Sequence, residues 1–242
     1  MNVLAFDTCF SALSVAVQRE TPLGEARVFA EREVMETGHA EALMPMIQRV
    51  MSKAGIGFAE LDAIVVTRGP GTFTGVRTGV AAGRALALAT GARLVGVSSL
   101  WAIGAAAMTS LPQLDAATGG VLVVMDARKG EVYAQVLDAG SVAISDPMLI
   151  GVEEAAEMGR KRRLVVVGNA ADLVKTTILP NGAQLDDSVL DEAVLPGHHH
   201  GESVALLRAA RQGGSAGGLQ PLYLRPADAK PQAGKSLPWV TS

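Results

Sequence analysis

The chain has 242 residues, of which 49% are hydrophobic, so it can bury a large core and is long enough for two small α/β domains. A net charge of −3 gives no general attraction for nucleic acid, and the single cysteine, Cys9, excludes an intramolecular disulfide framework. Asp7 lies too early for the apolar core of a signal peptide, and the longest uncharged stretch, 94–114, is too rich in polar residues for a membrane helix. We therefore expect a cytoplasmic protein.

The first part of the chain predicts the element order βββαβαβα. Three strands open it and should form an antiparallel meander. A helix follows in which apolar residues recur at helical spacing, and two short strand patterns, each followed by a helical pattern, complete this part. The predicted ranges are 2–6, 12–17 and 24–33 for the first strands, 39–54 for the helix, 63–66 and 93–97 for the next strands, and 75–90 and 98–108 for their helices.

The second part of the chain begins as the first does. A strand, an aspartate, a polar turn and a second strand occur at 4–8 and again at 123–127, which predicts a second unit of related topology. Residues 212–242 hold much of the glycine and proline, so little regular structure is expected there apart from 222–224. The predicted ranges are 121–125, 132–137, 148–150 and 164–167 for strands, and 152–158 and 202–211 for helices.

A glycine-rich turn, 68–79, is the most specific signature of the chain. It joins a predicted strand to a helix that Thr72 or Thr74 can cap, and backbone N–H groups at such a helix start can bind anions. A tight strand-to-helix corner explains the same residues. The Walker lysine is absent and the spacing of a dinucleotide site is not met. Both interpretations stay open.

Three glycines recur every four residues in the helix after this turn. Gly75, Gly79 and Gly83 fall on one face, together with Ala82 and Leu86. Glycine inside a helix is less favourable than alanine by about 0.5 to 1 kcal/mol, so three of them indicate close packing. The face could pack on the protein's own sheet or on a partner helix.

Two aspartates end the first strands of the two parts of the chain. Asp7 and Asp126 would suit a cleft that holds a metal-bound nucleotide, as in actin and hexokinase. Alternatively Asp7 caps a local turn, and Asp126 belongs to an ion-pair turn with its charged neighbours. Cys9 has no catalytic motif around it and is expected to be a small buried residue.

The histidines indicate little metal chemistry. His39 stands alone at a helix start, where a capping or surface role is expected. Three more are adjacent in sequence and so point in different directions, which allows adventitious metal binding only. These three are His198, His199 and His200.

Six motifs in order along the chain resemble the TsaB family, bacterial proteins needed for threonylcarbamoylation of adenosine 37 in tRNA. The strongest is Gly-Pro-Gly-Thr-Phe-Thr-Gly-Val-Arg, at 69–77, and the resemblance spans most of the chain. The other five are Leu-Ala-Phe-Asp-Thr at 4–8, His-Ala-Glu-x-Leu-Met-Pro-Met-Ile at 39–47, Gly-Val-Ser-Ser-Leu at 96–100, Asp-Ala-Arg-x-Gly-Glu-Val-Tyr at 126–133 and Pro-Leu-Tyr-Leu-Arg at 221–225.

The resemblance implies an actin-like, RNase H-like α/β fold of two domains, 1–110 and 111–242, each a mixed sheet flanked by helices. It implies a heterodimer with a TsaD-like catalytic subunit, completed by a TsaE-like ATPase, with tRNA bound only through the complex and no membrane. Ser99 and Ile103 replace the two metal-binding histidines of TsaD-type proteins. This chain is then a non-catalytic subunit with no cofactor of its own, and ATP and metal belong to its partners.

The resemblance also assigns site residues. Because an exposed apolar helix face seldom stays unpaired, we expect the chain alone to form a homodimer through its helices 39–54 and 75–90. In the family the two helices of the N-terminal domain, here 39–54 and 75–90, pair with those of the partner. Phe10 departs from the family pattern and crowds the phosphate turn, so any nucleotide site would be degenerate. The alternative is an autonomous ATPase or small-molecule kinase of the same fold; a metallopeptidase lacks its His-Glu-x-x-His motif. The partner-binding residues are Leu43, Met46, Ile47, Val50, Met51, Gly75, Gly79, Ala82, Gly83 and Leu86; the degenerate nucleotide residues are Asp7, Thr8, Asp126 and Gly168.

Overall fold

The computed structural model describes residues 1–21, 23–110, 119–177, 202–212 and 219–225, which form two β-sheets flanked by helices. The strands are β1 Val3–Phe10, β2 Ala12–Glu20, β3 Ala26–Val34, β4 Ala63–Thr67, β5 Arg93–Val97, β6 Val121–Asp126, β7 Glu131–Leu137, β8 Met148–Gly151 and β9 Val165–Val167. The helices are α1 His39–Ala54, α2 Phe73–Thr90, α3 Ser99–Ser110, α4 Val152–Arg162, α5 Ala171–Thr176 and α6 Glu202–Gln212, with a short 3₁₀ turn at Phe58–Glu60.

Both sheets are mixed and share one strand order. In the first sheet the order is β3-β2-β1-β4-β5, with β1, β2 and β3 antiparallel and β4 and β5 parallel to β1. In the second sheet β8-β7-β6-β9 repeats the first four positions of that order with the same directions. The prediction of an α/β fold with two related mixed sheets is confirmed. The division into domains 1–110 and 111–242 stays a prediction.

The central strands of the first sheet are buried on both faces, whereas the edge strand β3 is largely exposed. Successive side chains of a strand point to opposite sides of the sheet. In β1, Leu4 and Phe6 belong to the core under α1 and α2. Val3 and Ala5 belong to the core on the opposite face, where α6 packs. A strand covered on both sides has no polar alternation, which explains the continuous apolar run at the start of the sequence.

Helices α3 and α6 lie between the two sheets. Leu100 and Ile103 of α3 pack on the second sheet, and Ala105 of α3 packs against Ala205 of α6. Helix α6 in turn covers the inner face of the first sheet, while α4 and α5 cover the outer face of the second. The order of layers is therefore helices, sheet, the α3–α6 pair, sheet, helices.

The structure agrees with most of the expected ranges and differs mainly where elements end. Strand β2 reaches Glu20 instead of residue 17, and α4 reaches Arg162 instead of residue 158. The prediction that β1 ends at residue 6 is wrong, because the strand continues to Phe10 through an irregularity after Asp7. The 3₁₀ turn and α5 were not expected, since elements this short carry little periodicity. Residues 219–225, the described part of the tail, contain no helix or strand, including 222–224. Within the described ranges no helix is both long enough and apolar enough to cross a membrane.

Candidate functional site

The glycine-rich turn is a tight corner whose first N–H groups already have protein acceptors. Thr72 caps α2, and its Oγ1 accepts a hydrogen bond from the Gly75 N–H at 3.2 Å. The Thr72 N–H donates to the backbone oxygen of Cys9 at 2.7 Å. The structure thus uses two of the N–H groups that an anion would need, which favours the corner interpretation over a phosphate loop.

The glycine face of α2 packs on the first sheet of the same chain. A Cβ at Gly75 would overlap the backbone oxygen of Thr8, and one at Gly79 would lie 2.6 Å from Thr8 Oγ1. At Gly83 it would lie 2.7 Å from a methyl group of Val66. All three contacts are closer than side chains tolerate. The glycines therefore pack on the protein's own sheet, and they are not exposed for a partner helix.

The apolar residues of α1 that were assigned to a partner also lie inside the chain. All five are at most 3% exposed and belong to the core between α1 and the first sheet. On α2, Ala82 and Leu86 are half-buried against the same core. A partner that docks on α1 and α2 would therefore contact the exposed residues of these helices and not the buried ones. The five are Leu43, Met46, Ile47, Val50 and Met51.

Helix α2 presents a second face to solvent, which we call its outer face. Its members are small and recur at helical spacing on the side of α2 away from the sheet. Leu88 stands beside them and is 88% exposed, the highest value among the exposed large hydrophobic residues described. This face is as regular in sequence as the glycine face on the opposite side, but alanine and threonine are common in helices and do not by themselves indicate a contact surface. The outer face consists of Thr74, Thr78, Ala81, Ala85 and Ala89.

An aromatic and cationic cluster borders the outer face at the start of α2. The Arg77 guanidinium lies 3.7 Å from the centre of the Phe73 ring, and its Nε donates to the Tyr223 hydroxyl at 3.1 Å. The two rings are 5.6 Å apart. Arg84, two turns further along, donates to the backbone oxygen of Leu219. Together these contacts hold segment 219–225 along one side of α2.

Asp7 is buried and hydrogen-bonded within the first sheet. Its Oδ1 accepts bonds from the Cys9 N–H at 2.7 Å and from the Thr67 hydroxyl at 2.6 Å. Thr8 donates through Oγ1 to the Gly75 backbone oxygen at 2.7 Å. Burial, and then the negative charge of Asp7, raises the pKa of the Cys9 thiol, which is consistent with an unreactive core cysteine. The capped-turn interpretation of Asp7 is confirmed.

Asp126 and Gly168 also have local roles. Asp126 is exposed, and its Oδ1 accepts a hydrogen bond from the Arg128 N–H at 2.7 Å. The Asp126 N–H donates to Oδ1 of Asn169, which follows Gly168 at the end of β9. Gly168 has φ 115° and a Cβ there would overlap the backbone oxygen of Val124, so only glycine fits. Neither residue requires a nucleotide to explain it.

The residues compared with metal ligands lie in the core. Ser99 is fully buried and its hydroxyl donates to the backbone oxygen of Pro70, while Ile103 packs on the second sheet. The expectation of a capping or surface role for His39 is wrong: Gly38 is the N-cap, and the buried imidazole lies 2.9 Å from the Phe10 oxygen. Among the described residues no group of three His, Cys, Asp or Glu side chains is placed to hold a metal. Residues 198–200 lie outside the described ranges.

Comparison with known proteins gives a consistent result. The family model of TsaD, tRNA N6-adenosine threonylcarbamoyltransferase, matches residues 32–188. An uncharacterized protein of Mycobacterium tuberculosis H37Rv is 34% identical over 234 residues, covering 96% of this chain and 95% of that protein. The Escherichia coli K12 tRNA threonylcarbamoyladenosine biosynthesis protein TsaB is 35% identical over 133 residues, 55% of this chain and 53% of that protein. YeaZ from Pseudomonas aeruginosa superposes with a TM-score of 0.69 at 27% identity, covering 92% of this chain and 99% of that structure.

Proposed function

We propose that this chain, which belongs to the TsaD family of threonylcarbamoyltransferase-related proteins and within it to the TsaB group, is the non-catalytic partner of a TsaD-like enzyme. Its relatives' names connect it with the biosynthesis of threonylcarbamoyladenosine in tRNA. In this proposal it scaffolds and activates the catalytic subunit. A TsaE-like ATPase completes the complex, tRNA binds only through that complex, and ATP and metal are held by the partner subunits.

The outer face of α2 is the observation that carries the proposal. A stripe of alanine and threonine along one exposed side of a helix lets a second helix approach closely, and Leu88 provides a large apolar side chain to bury in the contact. An exposed leucine by itself needs no explanation, but a regular small face beside it is typical of a helix-packing surface. Because the opposite face is fixed on the sheet, a partner helix can reach α2 only from this side.

The buried aspartate supports a non-catalytic role. An Asp7 carboxylate that bound a metal-nucleotide would have to face a cleft, whereas here it is 2% exposed and accepts bonds from Cys9 and Thr67. Ser99 and Ile103 carry no imidazole, and both pack in the core. These placements favour a scaffold over the autonomous ATPase or kinase that the fold would otherwise allow.

Purification with and without a TsaD-like subunit, followed by assay of tRNA for the modified base, tests the proposal. We expect a stable complex and modification only when both subunits are present. Ala81→Arg and Leu88→Arg place a charge on the outer face and should abolish both results while the melting temperature of the isolated chain is retained. Leu173→Arg, which changes an exposed leucine of α5, is the matched control and should behave as the wild type. Full modification by the TsaD-like subunit alone would contradict the proposal, and robust ATP turnover by this chain alone would favour the enzyme alternative.

A further inference from the structure

A cavity of about 530 Å³ lies between the two sheets, away from the outer face of α2. Its walls come from the ends of β4 and β5, from α3 and α6, from β7, and from segment 143–147. The volume is within the range of small-molecule sites. Nothing in the proposed scaffold role uses it.

One part of the wall is positive. The aliphatic part of Arg68 passes Gly96, where a Cβ would lie 3.5 Å from Arg68 Cδ. Within the described ranges the Arg68 guanidinium has no hydrogen-bond or ion-pair partner. Helix α3 begins beside it, capped by the Ser98 hydroxyl, which accepts bonds from the N–H groups of Leu100 and Trp101. The first N–H groups of α3 already have protein acceptors, since the Ser99 N–H donates to the backbone oxygen of Gly69 and the next two residues donate to Ser98. The Arg68 guanidinium is therefore the group in this wall that attracts an acidic ligand.

Another part of the wall offers hydrogen-bond acceptors. Gln135 of β7 is 3% exposed; its amide nitrogen donates to the Ser145 backbone oxygen at 3.1 Å, while its Oε1 has no protein donor. The bond to Ser145 fixes which end of the amide is the oxygen. The carboxylate of Asp146, the next residue along, also lines the cavity. Both groups call for a donor, and a positively charged donor would satisfy them best.

Apolar side chains lie between these two parts. Val97, Trp101 and Ile144 line the cavity, and the Trp101 indole is held in place by its N–H bond to the Ser141 backbone oxygen at 2.9 Å. A ligand that matches the whole lining has an acidic group, an ammonium group and an apolar part. That combination describes an amino acid.

We propose that this cavity binds a small zwitterion of the amino-acid class, with its acidic group at Arg68 and its ammonium group at Gln135 Oε1 and Asp146. The bound ligand lies away from the outer face of α2 and takes no part in the contact with the partner subunit, so its role is regulatory. This site is distinct from the positions of Ser99 and Ile103, which lie on a different side of α3 from Ser98 and Trp101.

Trp101 gives the site its own optical reporter. The chain has two tryptophans, so Trp239→Phe leaves Trp101 as the single source of indole fluorescence. In this variant glycine, L-threonine, L-leucine and L-phenylalanine would each be titrated to about 10 mM, tenfold above the weakest affinity expected of a specific site, about 1 mM. We expect at least one to change the emission saturably. No saturable change with any of the four, by fluorescence and by calorimetry on the unaltered chain, would overturn the proposal.

The amide and the N-acetyl derivative of the amino acid that binds test the two charges without changing the protein. Each lacks one charge and should bind at least about tenfold more weakly, because charge-assisted hydrogen bonds are the stronger ones. Arg68→Gln should weaken binding most clearly for the N-acetyl derivative, which keeps the acidic group. Asp146→Asn should weaken binding most clearly for the amide, which keeps the ammonium group. Arg160→Gln, on the exposed side of α4, makes the same change of charge and should leave binding unchanged. Equal binding of either derivative, or binding unaffected by both substitutions, would contradict a zwitterion site.

Discussion

Gly79 shows how one missing side chain holds α2 on its sheet. Its replacement by alanine would raise the intrinsic helix propensity by up to about 1 kcal/mol. The new Cβ would also lie 2.6 Å from Thr8 Oγ1, which is itself bonded to Gly75. Overpacking costs about 1 to 3 kcal/mol, so Gly79→Ala should lower the free energy of unfolding. Thr78→Ala, which puts alanine on the outer face of the same helix, is the control in urea denaturation and should match or exceed the wild type because alanine has the higher helix propensity. Equal stability of both variants would mean that the close approach at Gly79 is relieved by movement.

Cys9 should be inert in the folded protein. The thiol is fully buried, and its raised pKa disfavours the thiolate that reacts with alkylating agents. We expect no modification by iodoacetamide at neutral pH in the native state and complete modification in denaturant. Because the chain has one cysteine, mass spectrometry reads the result directly. Rapid labelling of the native protein would show that β1 opens at its end.

Glu31 joins β3 to α1 by an ion pair that depends on pH. Its carboxylate lies 2.6 Å from Lys53 and 3.0 Å from Arg49, and the Lys53 hydrogen bond is the main cause that lowers its pKa. A lowered pKa in the folded state contributes stability at pH values above the ordinary carboxyl pKa, and this contribution disappears as pH falls through the folded value. Glu31→Gln should therefore be less stable at pH 7 by at most about 1 kcal/mol, and the two proteins should converge in acid. A difference that persists at pH 2 would indicate a packing effect.

At the scale of elements, regular periodicity was readable from the sequence and packing partners were not. The bounds of α1 and β5 agree with the structure because a six-residue apolar stripe specifies the first and a short, mostly apolar run after a glycine specifies the second. Periodicity also revealed the glycine face of α2. It could not tell whether a sheet or another protein lies against that face, because both demand the same absence of side chains. The roles of Asp7 and Gly168 likewise depend on contacts between residues far apart in sequence.

The outer face of α2 should also govern self-association. An exposed Leu88 beside small residues is an apolar surface that a second copy can cover when no other partner is present. We expect the isolated chain to form a homodimer at micromolar concentrations and Leu88→Arg to be monomeric in light scattering. Leu173→Arg should leave the dimer intact. A dimer that survives Leu88→Arg would place the contact elsewhere on the molecule.

The whole molecule is organised around the α3–α6 pair. Helix α3 follows β5 of the first sheet directly and packs on the second, and α6 returns late in the chain to cover the first. Each sheet is therefore covered on its inner face by one helix of this pair, and the two helices pack against each other. This arrangement fills the space between the sheets with side chains such as Leu100, Ile103 and Leu206, and leaves the 530 Å³ cavity at its margin.

The same arrangement leads to a prediction about catalysis. Asp7 and Ser99 are fixed in the packed region by bonds to Thr67 and Pro70, so neither side chain faces a cleft in which it could act on ATP. We expect only trace ATP hydrolysis and no stoichiometric metal, measured by a steady-state phosphate assay and by elemental analysis. The complete complex with its ATPase subunit is the positive control. Turnover near about 1 per second by this chain alone, the lower end of ordinary enzymes, or one tightly held metal ion per chain, would contradict the scaffold role.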